Sequence, residues 1–383
     1  MYGGMLVFLR YQSNMKKTIR LLAYFEHNLG DDLMIDILLR KYPEYDFWYD
    51  GYSPASNYFL KYPNFTNRKP LYLKYGRLNH IFNILTLHKK EDWFINQYFR
   101  KQNHTCCCSV YIGGSLFFQN KNEDPIKRVD YEESRLATHP RFIIGANFGP
   151  YYTDEFKEAF RSYFAGSAGV TFRDQKSYSL FSNLPNSAYA PDVVFNLPIS
   201  VSQESDHTVI VSVLDLQNRE ELSSHTDAYD KFIIKFCNEC VQREITPILM
   251  SFCEQEGDCR AIQRIVDQLS YQTKNKTKIY EYKGELTEAL ALFRKAEFVL
   301  ATRFHAMILA LKFHVPFFCV SYSDKIKWVL DDLDCDAYCK MDSIKTLSPK
   351  DILDRYTESL DVDEYIRKAT HQFDQLDRHL NNE

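Results

Sequence analysis

The chain has 383 residues, with 47 Lys and Arg against 51 Asp and Glu and a formal net charge of −4. That length allows two domains with separate cores, and 45% hydrophobic with 26% charged residues describes a globular chain, not a collagenous or low-complexity one. The near balance of charge argues against a nucleic-acid partner, which would need a net basic face, and leaves room for a local basic pocket.

No apolar run reaches the roughly 18–20 residues that span a bilayer. The most hydrophobic stretch, Phe298 to Val320, is broken by Arg303, His305, Lys312 and His314. Met5 to Leu9 is too short for the core of a secretory signal, and 'MKKTIRLLAYF' from Met15 reads as the beginning of the fold. Residues 1–14 are therefore expected to be an unstructured extension and the protein to be cytoplasmic. The ten cysteines are scattered, apart from Cys106 to Cys108 and the single CxxC of Cys237 and Cys240, and read as reduced thiols without a structural zinc site.

Short β-like runs then alternate with amphipathic helical segments. Strands are predicted at Thr18 to Phe25, Asp46 to Tyr49, Ser109 to Ile112, Phe142 to Ala146, Gly169 to Phe172 and Ser187 to Ala190. A second series follows at Thr208 to Leu214, Thr246 to Phe252, Lys278 to Tyr282, Phe298 to Ala301 and Phe317 to Val320. Helices such as Asp32 to Lys41, Asp154 to Ser162, Ala228 to Glu244, Ala261 to Tyr271 and Phe304 to Phe313 lie between them. Strands alternating with helices predict parallel sheets covered on both faces. The alternation pauses at 'NLPISVSQESDH', so the expected organisation is an N-terminal Rossmann-like domain over 15–195, a linker over 196–206 and a second such domain over 207–345, with C-terminal helices over 346–383. In two such domains ligands belong at the C-terminal ends of the strands, where loops lead into helix N-termini.

Six loops of that kind carry chemistry-bearing residues. In 'EHNLGDDLMIDILL', Asn28 and Gly30 suit a tight turn and Asp31 or Asp32 could cap the following helix; an ordinary cap explains the same residues. In 'SVYIGGSLFFQ', Gly113, Gly114 and Ser115 follow a strand and permit close approach of a ligand or of a neighbouring helix, without forming a Walker or dinucleotide motif. In 'GVTFRDQKS', Arg173 projects from a strand end and Asp174 caps the next helix, an arrangement suited to phosphate or carboxylate but also to a surface ion pair. In 'AEFVLATRFHAMILALKFHVP', Thr302 is the expected N-cap, with Arg303, Phe304 and His305 in the first turn. There a histidine can serve as a base, or can simply be satisfied by a backbone group. Lastly, Glu254 and Glu256 in 'SFCEQEGDCRAIQRIV' and Lys325 in 'VSYSDKIKWVL' lie in loops facing the cleft, Asp258 being a further helix cap; each also reads as a solvated charge.

Taken in order, 'NLGDDLMIDIL' at Asn28, 'GGSLF' at Gly113, 'GANFGP' at Gly145, 'FRDQKS' at Phe172, 'PDVVF' at Pro191, 'ATRFHAMILALKFHVP' at Ala301 and 'SYSDK' at Ser321 resemble the polysaccharide pyruvyl transferase family. The resemblance runs from Tyr24 to about Lys327. It implies a GT-B-like fold and transfer of pyruvate from phosphoenolpyruvate to two hydroxyls of one sugar, giving a cyclic ketal and phosphate. Carried over residue by residue, it implies that Arg173, Arg303, Phe304 and His305 bind phosphoenolpyruvate, with Lys325 balancing charge. His305 becomes the expected acid–base group, and Asn28, Gly30, Asp31, Gly113, Gly114, Ser115 and Glu254 become cleft or acceptor-side positions. The implied partners are the donor and a carbohydrate acceptor, nucleotide- or lipid-linked, in a membrane-associated biosynthetic complex; no metal or cofactor is implied. Phe304 stands where Leu is common in the family, and Ser53 to Thr105 has no alignable feature. A GT-B glycosyltransferase using a nucleotide sugar and a non-catalytic member of an envelope-polysaccharide complex are the alternative expectations.

Overall fold

The computed structural model describes residues 17–49, 57–67, 105–121, 123–136, 140–198 and 205–382. The expected extension over 1–14 lies outside them, as do most of Ser53 to Thr105 and much of the predicted linker. The chain forms two fully parallel sheets. Strands β1 (Thr18–Leu22), β2 (Asp46–Tyr49), β3 (Phe65–Asn67), β4 (Cys108–Ile112), β5 (Arg141–Ala146), β6 (Gly169–Phe172) and β7 (Ser187–Tyr189) make the first, in the order β3-β2-β1-β4-β5-β6-β7. Strands β8 (Thr208–Ser212), β9 (Thr246–Ser251), β10 (Lys278–Glu281), β11 (Ala296–Ala301), β12 (Phe317–Ser321) and β13 (Tyr338–Lys340) make the second, in the order β10-β9-β8-β11-β12-β13. The short edge strands β3 and β13 were not anticipated, because three residues carry no readable period.

The central strands read as near-continuous apolar runs, Val209 to Val211 and Phe142 to Ile144 among them, because helices bury both faces. Aromatic residues concentrate in one such core. The helix Asp154–Ala165 is capped by Thr153, whose hydroxyl accepts Phe156 N–H at 3.3 Å. It then presents Phe156, Phe160, Tyr163 and Phe164 at helical spacing to Phe117, Phe148, Phe172 and Phe181. These rings fill a core; they do not line a sugar site.

The strand order decides where a ligand can go. In each sheet the order reverses once, between β1 and β4 in the first and between β8 and β11 in the second, and the loops leaving those strands splay apart to open a crevice. The two crevices face one another, held by contacts between the halves. Asn28 forms an antiparallel bridge with Cys253, Leu29 N–H donates to Phe252 O at 3.0 Å, and Tyr282 Oη donates to Asp32 at 2.6 Å. The helices Leu29–Lys41 and Phe304–Lys312 share one continuous apolar core. The C-terminal helices return to the first sheet: Gln372 accepts from Gly145 N–H and donates to Ala190 O and Pro191 O, and Tyr42 donates to Asp377. This is the GT-B-like α/β architecture expected from the sequence. Among the described residues no helix is long and apolar enough to cross a membrane.

Candidate functional site

The facing crevices enclose a cavity of about 640 Å³. Asn28 and Asp31 from the loop after β1 line it, as do Gly114 and Ser115 after β4 and Arg173 after β6. From the other half come Arg303, Phe304 and His305 after β11, and Lys325 at the start of the helix Asp324–Asp332. Residues far apart in sequence are thus brought to one crevice.

Behind its wall lies a buried carboxylate. Asp192, 1% exposed, places Oδ2 at 2.9 Å from Arg173 Nη1 and at 3.7 Å from His305 Nε2, while its Oδ1 accepts Val194 N–H. Arg173 Nη2 donates to Asn147 Oδ1 at 2.8 Å, and the guanidinium lies 4.1 Å from the centre of the Phe304 ring. Burial would raise the pKa of Asp192, but the neighbouring His305 and the charge of Arg173 hold it down to about 2. His305 Nε2 is buried and has no hydrogen-bond partner among the described residues.

Two glycines permit this convergence. A Cβ on Gly30 would sit 1.7 Å from His305 Nδ1, and one on Gly114 would sit 2.3 Å from Arg173 Nη1. Only a bare backbone leaves room for either side chain. Gly113, by contrast, turns toward Leu116 and does not line the cavity.

A second ionic cluster forms the opposite wall. Arg303 Nε donates to Asp258 Oδ2 at 3.1 Å, Nη2 bonds Asp258 Oδ1, and Nη1 donates to Glu256 Oε2 at 2.5 Å. Asp258 also accepts the backbone N–H groups of Phe252 and Cys253. Glu256 takes a further bond from Arg219 Nη2 at 2.6 Å. Burial would raise the Glu256 pKa, but Arg303, Arg219 and Lys325 together lower it. Lys325 Nζ reaches across the cleft to Ser115 Oγ at 3.2 Å. Tyr322 lines the same wall; burial opposes ionisation of its phenol, yet Lys325, Arg303 and Arg219 bring its pKa below the usual value.

Several local expectations need correction. Glu254 is exposed and does not line the cavity; the loop presents Glu256 instead, because Gly257, at φ 91°, reverses the chain before the helix Asp258–Val266. The cap of the helix Leu29–Lys41 is Asn28, whose side chain accepts Gly30 N–H at 3.1 Å, so Asp31 is free to face the cavity while Asp32 turns to Tyr282. Arg303 itself occupies the N-cap position expected of Thr302, whose hydroxyl is engaged with Tyr229 at 3.1 Å. Gly257, not Asp258, precedes its helix, and Asp258 is drawn inward to Arg303. Asp174 does cap its helix, accepting Ser177 N–H at 2.7 Å.

Of the two glutamates expected to face the cleft, Glu256 does so; Arg219, Tyr322 and the pivotal role of Asp192 were not anticipated. Arg219 follows β8 at the second switch point, so asking which basic residue leaves that strand would have found it. Among the described residues, five cationic side chains line the cavity, those of Arg173, Arg219, Arg260, Arg303 and Lys325, against two carboxylates, Asp31 and Glu256, with Asp192 and Asp258 behind the wall. Such a crevice attracts a small multivalent anion. Among the described residues no three His, Cys, Asp or Glu side chains converge to hold a metal ion.

Paired Rossmann-like halves with an anion-attracting cleft at their facing switch points define a GT-B-like architecture with a ligand crevice between the sheets. The chain belongs to the polysaccharide pyruvyl transferase family, which matches residues 28–324. No curated protein matches it in sequence. Among solved structures it is similar to a putative UDP-N-acetylglucosamine 2-epimerase from Listeria monocytogenes, with 8% identity, a TM-score of 0.51 and coverage of 96% of this chain and 97% of that one. It is also similar to a UDP-forming α,α-trehalose-phosphate synthase from Burkholderia vietnamiensis (9% identity, TM-score 0.48, 96% of each chain covered). A third is the ADP-heptose heptosyltransferase II of E. coli (10% identity, TM-score 0.43, 94% of this chain and 99% of that one). At such identities the likeness concerns the fold alone.

Proposed function

We propose that the protein transfers pyruvate from phosphoenolpyruvate to two hydroxyls of one sugar in a surface polysaccharide or its precursor, forming a cyclic ketal and releasing phosphate. Family membership supports the reaction class. The observation that carries the donor assignment is the junction at Asp192, where Arg173 from one half and His305 from the other meet at a single carboxylate oxygen beside a cation-rich cavity. Phosphoenolpyruvate carries a carboxylate and a phosphate, and a wall with more cations than carboxylates complements both.

The two arginines first expected to grip the donor are both already paired, Arg173 with Asp192 and Arg303 with Asp258 and Glu256. Their pairing fixes the guanidinium planes, while Arg219 and Lys325 add the positive charge that offsets Glu256 and the donor. His305, beside Asp192, accepts a hydroxyl proton, and the carboxylate stabilises the imidazolium that forms. The reaction uses no cofactor beyond its donor. Phosphoenolpyruvate is a cytoplasmic metabolite, which places the reaction in the cytoplasm, on a nucleotide- or lipid-linked acceptor at the inner membrane face.

The test is phosphate release from phosphoenolpyruvate in the presence of methyl hexopyranosides bearing free 4- and 6-hydroxyls, with donor affinity measured by calorimetry. Release with wild type, and its loss with Arg303→Ala and His305→Ala, is the expected result. Full activity in His305→Ala, or no donor binding by wild type, would overturn the proposal.

A further inference from the structure

The reaction just proposed adds a hydroxyl across the C2=C3 double bond, so a proton must reach C3 while another leaves the attacking oxygen. One residue cannot be donor and acceptor in the same addition. His305 has been given one role, and the cavity should hold a second proton-transfer group. Among the described residues, two carboxyl groups line it. Glu256 is bound by Arg303 and Arg219, which hold it ionised and unsuited to donate. The other is Asp31, in the first turn of the helix Leu29–Lys41 and next to Gly30, whose backbone lies against the His305 ring.

We infer that Asp31 is the proton donor to C3, working with His305 as its complementary base; this rests on the pyruvyl-transfer reading of the site. The groups facing Asp31 are His305 and Arg173, which favour its anion, Glu256, which opposes it, and Lys325, with Tyr24 and Asp32 close by. Burial outweighs the cations and raises its pKa above the usual carboxyl range.

The steps balance. The π pair of C2=C3 takes the Asp31 proton at C3 while a lone pair of the first hydroxyl bonds to C2, and that hydroxyl's proton passes to His305. The C2–O bond to phosphate then breaks, and the phosphate leaves with the proton from His305. The second hydroxyl bonds to C2 and returns its proton to Asp31. One hydroxyl proton has in effect been used for the new methyl group and the other for hydrogen phosphate, and both residues end as they began.

Asp31→Asn keeps the size of the side chain and removes the proton. With phosphoenolpyruvate and the methyl hexopyranosides it should lower kcat by about 100-fold or more, the usual range for loss of a general acid. Calorimetry with phosphoenolpyruvate alone should find the dissociation constant within about threefold of wild type, since neutral Asp and Asn differ little in charge. Wild-type kcat should fall at alkaline pH as Asp31 loses its proton, and the residual activity of Asp31→Asn should lack that limb. Should the Asn variant fail to fold, Asp31→Glu carries the test: phosphate release with a displaced alkaline limb supports the inference, and an unchanged profile overturns it. A wild type that releases phosphate beside an Asp31→Asn variant of comparable kcat sinks this inference alone, as does an Asn variant that has lost donor binding. A wild type that neither binds the donor nor releases phosphate sinks the pyruvyl-transfer reading and this inference with it.

Discussion

Asp192→Asn isolates the interaction around which the site is built. Asp192 and Arg173 are 1% and 2% exposed, so neither charge can be rescued by water when the other is removed. Breaking one side of a buried pair costs about 3–5 kcal/mol, because the remaining charge stays desolvated. Asn can still accept Val194 N–H, which limits the damage to the charge itself. A second magnitude comes from linkage. The Asp192 pKa is held at about 2 against an ordinary 3.8, a difference worth about 2 kcal/mol. For a carboxylate with a lowered folded-state pKa, that stability is fully present above the unfolded value and is lost as pH falls through the folded one. About half of it should be gone by pH 3. Urea unfolding of wild type and Asp192→Asn at pH 7, 5 and 3 measures both effects: a gap of about 3–5 kcal/mol at pH 7, similar at pH 5 and narrower at pH 3. A variant within about 0.5 kcal/mol of wild type at pH 7, or a gap that widens in acid, would refute the assignment of Asp192 as the ionised partner of Arg173.

Three further outcomes follow from the same geometry. Gly30→Ala places a methyl group on the His305 ring; steady-state kinetics should show a loss of about 100-fold or more in kcat/KM, while thermal unfolding reveals a cost of about 1–3 kcal/mol, the range for overpacking. Glu256→Gln removes a carboxylate that competes for Arg303 and Arg219; calorimetry should show phosphoenolpyruvate binding at least about threefold tighter, and weaker binding would contradict the role given to Glu256. Asp32, buried and bonded by Tyr282, has its pKa raised to about 7, burial being the main cause. A carboxyl with a raised folded-state pKa stabilises the fold most below its unfolded value and loses that contribution as pH rises to the folded one. Asp32→Asn should therefore gain on wild type by up to about 4 kcal/mol between pH 4 and 8, read by urea unfolding at each pH.

The alternation of strands and helices was legible because parallel strands buried on both faces must be apolar throughout, and the helices between them must be amphipathic. The strand-end loops were legible because parallel sheets bind ligands at the C-terminal ends of their strands, where Gly30, Gly114, Arg173, Arg303 and His305 follow apolar runs. What the residues could not disclose was pairing. Nothing in 'PDVVF' announces that its Asp lies under both Arg173 and His305, since that contact joins a strand end of one sheet to a helix start of the other. Nor does 'EQEGD' say which glutamate turns inward. The left-handed glycine at 257 decides it, placing Glu256 at the cavity and leaving Glu254 in solvent.

The pairing also changes what the arginines do. A bare guanidinium aimed into a cleft binds an anion strongly but has many orientations to lose on binding. Arg173, fixed by Asp192, Asn147 and the Phe304 ring, has already lost them, and so has Arg303 between Asp258 and Glu256. The same partners reduce the net attraction each arginine offers, so much of the surplus positive charge comes from Arg219, which shares Glu256 with Arg303, and from Lys325, whose amine bonds a neutral hydroxyl. This division suits a reaction in which phosphate must first be bound and then released. Rigid, largely neutralised pairs keep the reacting atoms in register, while Arg219 and Lys325 add the charge that meets the anion.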